Sequence, residues 1–116
     1  MLRTFIYTAP IEQRLKEMEN KEEFCRGIEI EILNNITVGD LVPGLAGARK
    51  FRYSDPSRGK GKRGGFRIFF LDLPLVEKVY FLYLLSKGET EDITAQEKKE
   101  FKKYIDLLKK EAKHEK

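Results

Sequence analysis

The chain has 116 residues, of which 41% are apolar and 36% charged, enough for one compact core and the basis for expecting a single domain over 1–116. Its formal net charge is +4 and its pI about 9.1, a mild lean toward an anionic partner. One cysteine, Cys25, and one histidine, His114, exclude an internal disulfide, a zinc site of the Cys/His kind and a histidine-based triad. No apolar run approaches the roughly 18–20 residues of a membrane span. The start, Met1-Leu2-Arg3-Thr4-Phe5, lacks the apolar stretch of a signal peptide. The expectation is a soluble, cytoplasmic protein with no membrane partner and no metal or other cofactor.

Arg3 to Tyr7 holds Thr4, Phe5, Ile6 and Tyr7 and predicts a strand. Thr8 as a cap and Pro10 in the first turn predict a helix over 9–19, with Ile11, Leu15 and Met18 on one side. Asn20-Lys21-Glu22-Glu23 reads as a capping box that opens a second helix over 21–34, with Phe24, Ile28, Ile32 and Leu33 together. The two helices make a hairpin, and Cys25 falls among its apolar residues as a core thiol. Asn34-Asn35, Gly39-Asp40 and the Gly/Pro-rich Leu41–Gly47 stretch predict a loop. Ala48 to Tyr53 alternates as a strand, with Ala48, Lys50 and Arg52 on one face and Arg49, Phe51 and Tyr53 on the other. Residues 54–61 form the loop of a long hairpin, and its second strand, 63–71, carries Phe66, Ile68, Phe69 and Phe70, interrupted by Arg67. After a turn at 72–75, residues 78–85 are apolar on both sides and predict a strand inside the sheet. Thr94-Ala95-Gln96-Glu97 is a second capping box. The spacing of Phe101, Tyr104, Ile105, Leu108 and Ala112 predicts a C-terminal helix over 95–113. The order β-α-α-β-β-β-α defines an α+β fold: a small, antiparallel-rich sheet with the N-terminal helical hairpin packed on it and a C-terminal helix.

Charge is unevenly placed. From Gly47 to Arg67 there are eight basic residues, Arg49, Lys50, Arg52, Arg58, Lys60, Lys62, Arg63 and Arg67, against one acid, Asp55, a net +7 over 21 residues. The rest of the chain totals −3. A solvated loop in a lysine-rich protein should have acids mixed in, as the C-terminal helix does. Their absence points to a polyanion-binding strip. Gly59-Lys60-Gly61-Lys62-Arg63-Gly64-Gly65 is not a Walker motif, because no Ser or Thr follows the lysine and a strand rather than a helix comes next. Glycines there expose backbone N–H groups beside cations, which suits phosphate contacts at a hairpin tip as well as plain flexibility.

Arg67 interrupts a strand whose neighbours want burial, so it needs either a salt bridge, to Asp72, Glu77 or Glu89, or a cleft open to an anion. Lys50 and Arg52 on the neighbouring strand favour the anion, since adjacent strands lie about 4.8 Å apart. Lys87 follows the last strand, either as an ordinary end residue or aimed into the site. Tyr53 and Tyr83 either stack on bases or fill the core. His114 is a tail residue.

These segments together resemble the RelE/ParE superfamily of small bacterial toxins, in its HigB-like branch. The likeness rests on Gly39-Asp40-Leu41-Val42-Pro43-Gly44, on Gly47-Ala48-Arg49-Lys50-Phe51-Arg52-Tyr53, and on 59–70, with its Gly-Lys-x-Gly-Gly-Phe-Arg pattern. It closes with Tyr83-Leu84-Leu85-Ser86-Lys87-Gly88-Glu89-Thr90-Glu91-Asp92-Ile93-Thr94. It covers roughly 39–100 closely and the N-terminal elements by pattern alone.

The resemblance implies a metal-independent endoribonuclease, an mRNA interferase that enters the ribosomal A site, cleaves the message there and is silenced by a cognate antitoxin. It places Lys50, Arg52 and Arg67 at phosphate-handling positions and Lys87 at a basic position after the last strand, a catalytic set of four. Arg49, Arg58, Lys60, Lys62 and Arg63 form the surrounding RNA-binding set, and Glu89 and Asp92 are further acid–base candidates. Gly88 and Thr90 stand where many relatives carry a polar or basic residue, and Thr94 near where some carry a catalytic tyrosine. Two other functions share the scaffold and the strip: a non-enzymatic nucleic-acid binder, and a ParE-like inhibitor of a DNA topoisomerase.

Overall fold

In a computed structural model, which describes residues 2–54, 65–86 and 93–115, the strand and helix signals resolve into one sheet with helices on both faces. The elements are β1 (Thr4–Tyr7), α1 (Ala9–Leu15), α2 (Lys21–Asn34), β2 (Asp40–Leu41), β3 (Arg49–Ser54), β4 (Gly65–Leu73), β5 (Lys78–Ser86) and α3 (Ala95–Glu115). A short 3-10 turn at Pro74–Val76 joins β4 to β5. The sheet order is β1-β5-β4-β3-β2, with β1 parallel to β5 and every other pairing antiparallel. The α+β architecture expected from the sequence is the one observed. No helix among the described residues is long and apolar enough to cross a membrane.

Alternation sorts the core into two layers. On one face, Phe51, Phe66, Ile68, Phe70, Val79, Phe81 and Leu84 pack under α1 (Ile11, Leu15) and α2 (Phe24, Ile28, Ile32). On the other, Ala48, Phe69, Leu71, Leu73, Leu82 and Leu85 pack under α3 (Ile105, Leu108, Ala112) and the loop residues Val42 and Leu45. β5 supplies both layers because it is interior, as its unbroken apolar run implies. A bulge shifts the β4–β5 register at Phe69/Phe70. It leaves Leu82 without a register partner, so Leu82 and Tyr83 both serve the α3 face.

Several local expectations are corrected. The first helix ends at Leu15 rather than 19: Met18 N–H donates to Leu15 O at 3.0 Å, turning the chain so that Met18 packs on the core. Thr8 makes no side-chain cap. Its hydroxyl donates to Phe81 O at 2.8 Å instead, tying the start of α1 to β5. Asn20 likewise makes no side-chain cap for α2. On α2, Leu33 is exposed while Phe24, Ile28 and Ile32 are buried.

The stretch expected to be all loop contains β2, paired with β3 through Asp40↔Lys50 and Leu41↔Arg49. Gly39 permits this crossing: it sits at φ +79°, and a Cβ there would come within 2.0 Å of Lys50 O. β4 runs on to Leu73, and residues 63 and 64 of the expected strand lie outside the described residues. The Thr94 capping box forms as expected. Glu97 N–H donates to Thr94 Oγ1 at 3.0 Å, and Thr94 N–H donates to Glu97 Oε1 at 2.8 Å.

Candidate nucleic-acid interface

β3 and β4 set the geometry of the site. The α3 side of β3 bears Ala48, Lys50 and Arg52, and the same side of β4 bears Arg67, Phe69 and Leu71. The register pairs Arg52 with Arg67 directly, and Lys50 with Phe69 one step along. Lys50, Arg52 and Arg67 therefore share one face of the sheet. Ala48, Phe69 and Leu85 around them are buried, Arg52 is exposed, and Lys50 and Arg67 are half-buried. The floor is apolar and the cations stand on it.

Two like charges directly opposite across a strand pair destabilise it, on the order of 0.2–1 kcal/mol, where an acid would stabilise it. No ion pair or hydrogen bond from either guanidinium is formed among the described residues. Asp72, one of the expected partners for Arg67, is held by Arg3 at 2.6 Å, near the opposite end of β4 and on its other face. That hydrogen bond raises the Arg3 pKa above its ordinary value. Glu77 lies just beyond the same end of β4, where its backbone carbonyl accepts from Thr4 N–H at 2.8 Å. Lys50 has Asp40 as its register neighbour on β2.

The remaining candidates separate. Arg49 projects to the helical-hairpin face with Phe51 and Tyr53. Its guanidinium donates to Val38 O at 3.2 Å and Gly39 O at 3.0 Å, clamping the loop that leads into β2. It is thus apart from Lys50, Arg52 and Arg67, and its donors hold backbone carbonyls. Arg58, Lys60, Lys62, Arg63 and Lys87, together with Glu89 and Asp92, lie outside the described residues.

Tyr53 packs edge-to-face on Phe24, with ring centroids 5.4 Å apart, on the face away from the cations. Tyr83 is on the cation face, but its ring meets Phe101 at 5.5 Å and the Arg14 guanidinium at 4.9 Å. Both tyrosines take the packing role. Burial pushes the Cys25 thiol pKa up, against the smaller opposing effect of the Tyr7 hydroxyl, which fits a core residue rather than a nucleophile.

One neighbour was not visible in the sequence. β1 pairs with β5 only as far as Phe81, and α1 takes over from there. Arg14 on α1 consequently reaches Tyr83, donating to its hydroxyl at 3.0 Å. This brings another cation beside the Lys50–Phe69–Tyr83 row. In the sequence Arg14 is one charge among many on a short helix, and nothing marks it.

This arrangement, a five-stranded mixed sheet with two helices on one face and a C-terminal helix on the other, is a RelE-type fold. The structure is similar to that of a free double arginine-to-alanine variant of the E. coli toxin RelE, with a TM-score of 0.55 and 12% identity, covering 78% of this chain and 90% of that one. It is similar also to the isolated E. coli RelE toxin, with a TM-score of 0.53 and 11% identity over 95% of this chain and 98% of that one. No family model matches the sequence.

Proposed function

We propose that this protein is the toxin of a type II toxin–antitoxin pair, of the HigB-like kind, and that it cleaves mRNA on the ribosome. The observation that carries the proposal is the Arg52–Arg67 register pair, two guanidinium groups side by side on an apolar floor with Lys50 next to them. Holding like charges together costs the free protein stability, and a bound phosphate reverses the sign of that cost. The RelE-type fold adds the expectation of an RNA substrate.

The residue types suit cleavage by internal transesterification. The ribose 2′-oxygen attacks its adjacent phosphorus, forming the P–O2′ bond as the P–O5′ bond breaks. The products are a 2′,3′-cyclic phosphate and a 5′-hydroxyl. The 2′ proton leaves to a base, and the departing 5′-oxygen takes a proton from an acid. Arg52 and Arg67 hold the non-bridging oxygens, whose charge grows in the phosphorane, with forked donors matched to phosphate. Lys50 and Lys87 are the candidates for proton transfer. The ribosome would supply the alignment of the message, and an antitoxin with acidic or amphipathic character would cover the cationic face in the cytoplasm.

The test is inducible expression with and without the neighbouring gene, followed by cleavage mapping in a translating extract. The expected result is growth arrest and message cleavage that is lost in Arg67→Ala and lost when the scissile nucleotide is 2′-deoxy. Steeply salt-dependent RNA binding with no new ends would establish a non-enzymatic binder instead. Arrest of replication with translation intact would establish a topoisomerase inhibitor.

A further inference from the structure

The C-terminal helix reads in sequence as a lysine-rich surface with acids mixed in, but around its axis the acids other than Asp106 fall apart from the lysines. With about 100° per residue, the buried line of α3 runs through Phe101, Ile105, Leu108 and Ala112. Lys99, Lys102, Lys103, Lys110 and Lys113 fall on one flank and are all exposed. Glu100 and Glu111 fall on the opposite flank with Tyr104 and Leu107. Lys98 and Lys109 border the lysine flank and fix which way it faces. Lys109 Nζ donates to Ala46 O, and Lys98 packs 3.8 Å from the Cβ position of Gly44. The loop at 42–47 therefore borders the lysine flank on one side, and the five exposed lysines turn outward from it; Lys50 and Arg52 stand beyond that loop on the same side of the sheet.

A helix surface evolved only for solubility places Glu and Lys four residues apart. Here Lys98/Lys102, Lys99/Lys103 and Lys109/Lys113 are like charges at that spacing, each pair destabilising the free helix, against Lys102/Asp106 and Asp106/Lys110 of opposite sign. Among the described residues one ion pair lies on the helix, Lys102–Asp106 at 3.1 Å. Asp106 divides the flank into two lysine groups whose centres are about 15 Å apart along the axis at 1.5 Å per residue.

We propose that this flank of α3 is a second polyanion site, distinct from the Arg52–Arg67 row, and that it binds the paired phosphate tracks of an RNA duplex. Shape favours that ligand. The opposite side of α3 is packed on the sheet, so the helix cannot be buried in a deep groove and offers only a convex flank. A convex row of flexible ammonium groups fits across the wide, shallow minor groove of an A-form duplex, with one lysine group for each strand. The surface then continues from the duplex contact to the cations of β3, so that a structured RNA and a single-stranded segment are engaged together.

The test uses the full chain and an RNA duplex of about 16 base pairs, the span typical of shape-reading duplex binders. Affinity is measured against salt for the parent protein, for a variant with Lys99, Lys102, Lys103, Lys110 and Lys113 all changed to Gln, and for Arg67→Ala. Glutamine keeps helix propensity, and circular dichroism checks the fold. Each phosphate neutralised contributes close to one unit of the log–log salt slope. The five-fold variant is therefore expected to lose about three to four units of slope and at least roughly tenfold in affinity at physiological salt. Arg67→Ala removes one cation of the separate row and should cost no more than about one unit of slope. Unchanged duplex affinity in the lysine variant overturns the proposal. So does tighter binding of the parent to a DNA duplex of the same sequence, to poly-glutamate or to phosphatidylserine vesicles than to the RNA. Duplex binding by a protein that cleaves no message overturns the endonuclease reading and leaves this one standing.

Discussion

The two faces of the sheet are built from the same strands by the same alternation, yet they end differently. Under the helical hairpin, β3 and β4 present Phe51, Phe66, Ile68 and Phe70, and the charged residues of that face, Arg49 and Asp72, are each held by a partner within the fold. Under α3 the same strands begin in the same way, with Ala48, Phe69 and Leu71, and then change to Arg52 opposite Arg67. One face is closed by a pair of helices. The other is covered for part of its length and carries charge on the remainder. In physical terms, the first face holds the fold together, while the second keeps a like-charge pair that costs stability.

The largest expected effect comes from the closed face. Phe70 is fully buried and packs edge-to-face on Phe51, with ring centroids 5.7 Å apart. Phe70→Ala should cost about 3–5 kcal/mol, seen as a lower urea midpoint with an unchanged slope. RNA cleavage per folded molecule should be preserved. If cleavage per folded molecule fell as far as stability, the division between the faces would be wrong.

The open face predicts the reverse. Arg67→Ala should lower message cleavage by about 10²–10³, the range for losing one donor to a charge-developing oxygen. Its thermal midpoint should stay level or rise, because the like-charge pair with Arg52 is removed. Arg52→Thr, at the exposed partner, should show the same pattern. A clear fall in the midpoint of either variant would mean that the arginines already have internal partners, and the contrast would collapse.

A smaller effect probes how tightly the closed face is shut. Gly27 lies on α2 where it meets the sheet, and a Cβ there would sit 1.8 Å from Tyr53 Oη. Gly27→Ala should cost about 1–3 kcal/mol through overpacking, despite the better helix propensity of alanine. Adding Tyr53→Phe removes the clashing oxygen, so the double variant should be more stable than the sum of the single changes predicts. Simple additivity would show that the helix moves away without penalty.

Much of this contrast was legible before the structure. The alternation of 48–53 placed Lys50 and Arg52 together because a strand has a period of two. The same period already put Arg49 with Phe51 and Tyr53. Only a tally of charge, which ignores faces, joined it to the phosphate-binding set, and its guanidinium in fact clamps the backbone at Val38 and Gly39. The strand β2 was illegible because two exposed residues after a glycine have no pattern to read. The bulge at Leu82–Tyr83 was hidden because Val79–Leu85 is apolar on both sides, so no alternation exists to be broken. The end of the first helix was set by packing of Met18, against residues of good helix propensity. The divided charge of α3 was available from its 3.6-residue period, but composition alone mixes the flanks.

The smallest effect asks whether the cover of the open face is an independent unit. Thr94 and Glu97 exchange side-chain and backbone hydrogen bonds at the start of α3, next to Ile93, which is buried in the layer beneath the helix. Thr94→Ala removes one acceptor from the orphan N–H groups and should cost about 1 kcal/mol. If α3 opens from this end by itself, the amides of its first turn should exchange roughly fivefold faster, as 1 kcal/mol requires, with little change elsewhere. Amides of β3 and β4 would then keep their protection, and the apolar floor beneath Arg52 and Arg67 would remain in place while its cover loosens. Exchange that rises equally in Phe51, Ile68 and Phe70 would instead show that the two layers open together. The partial cover would then be as much a part of the stable core as the helical hairpin.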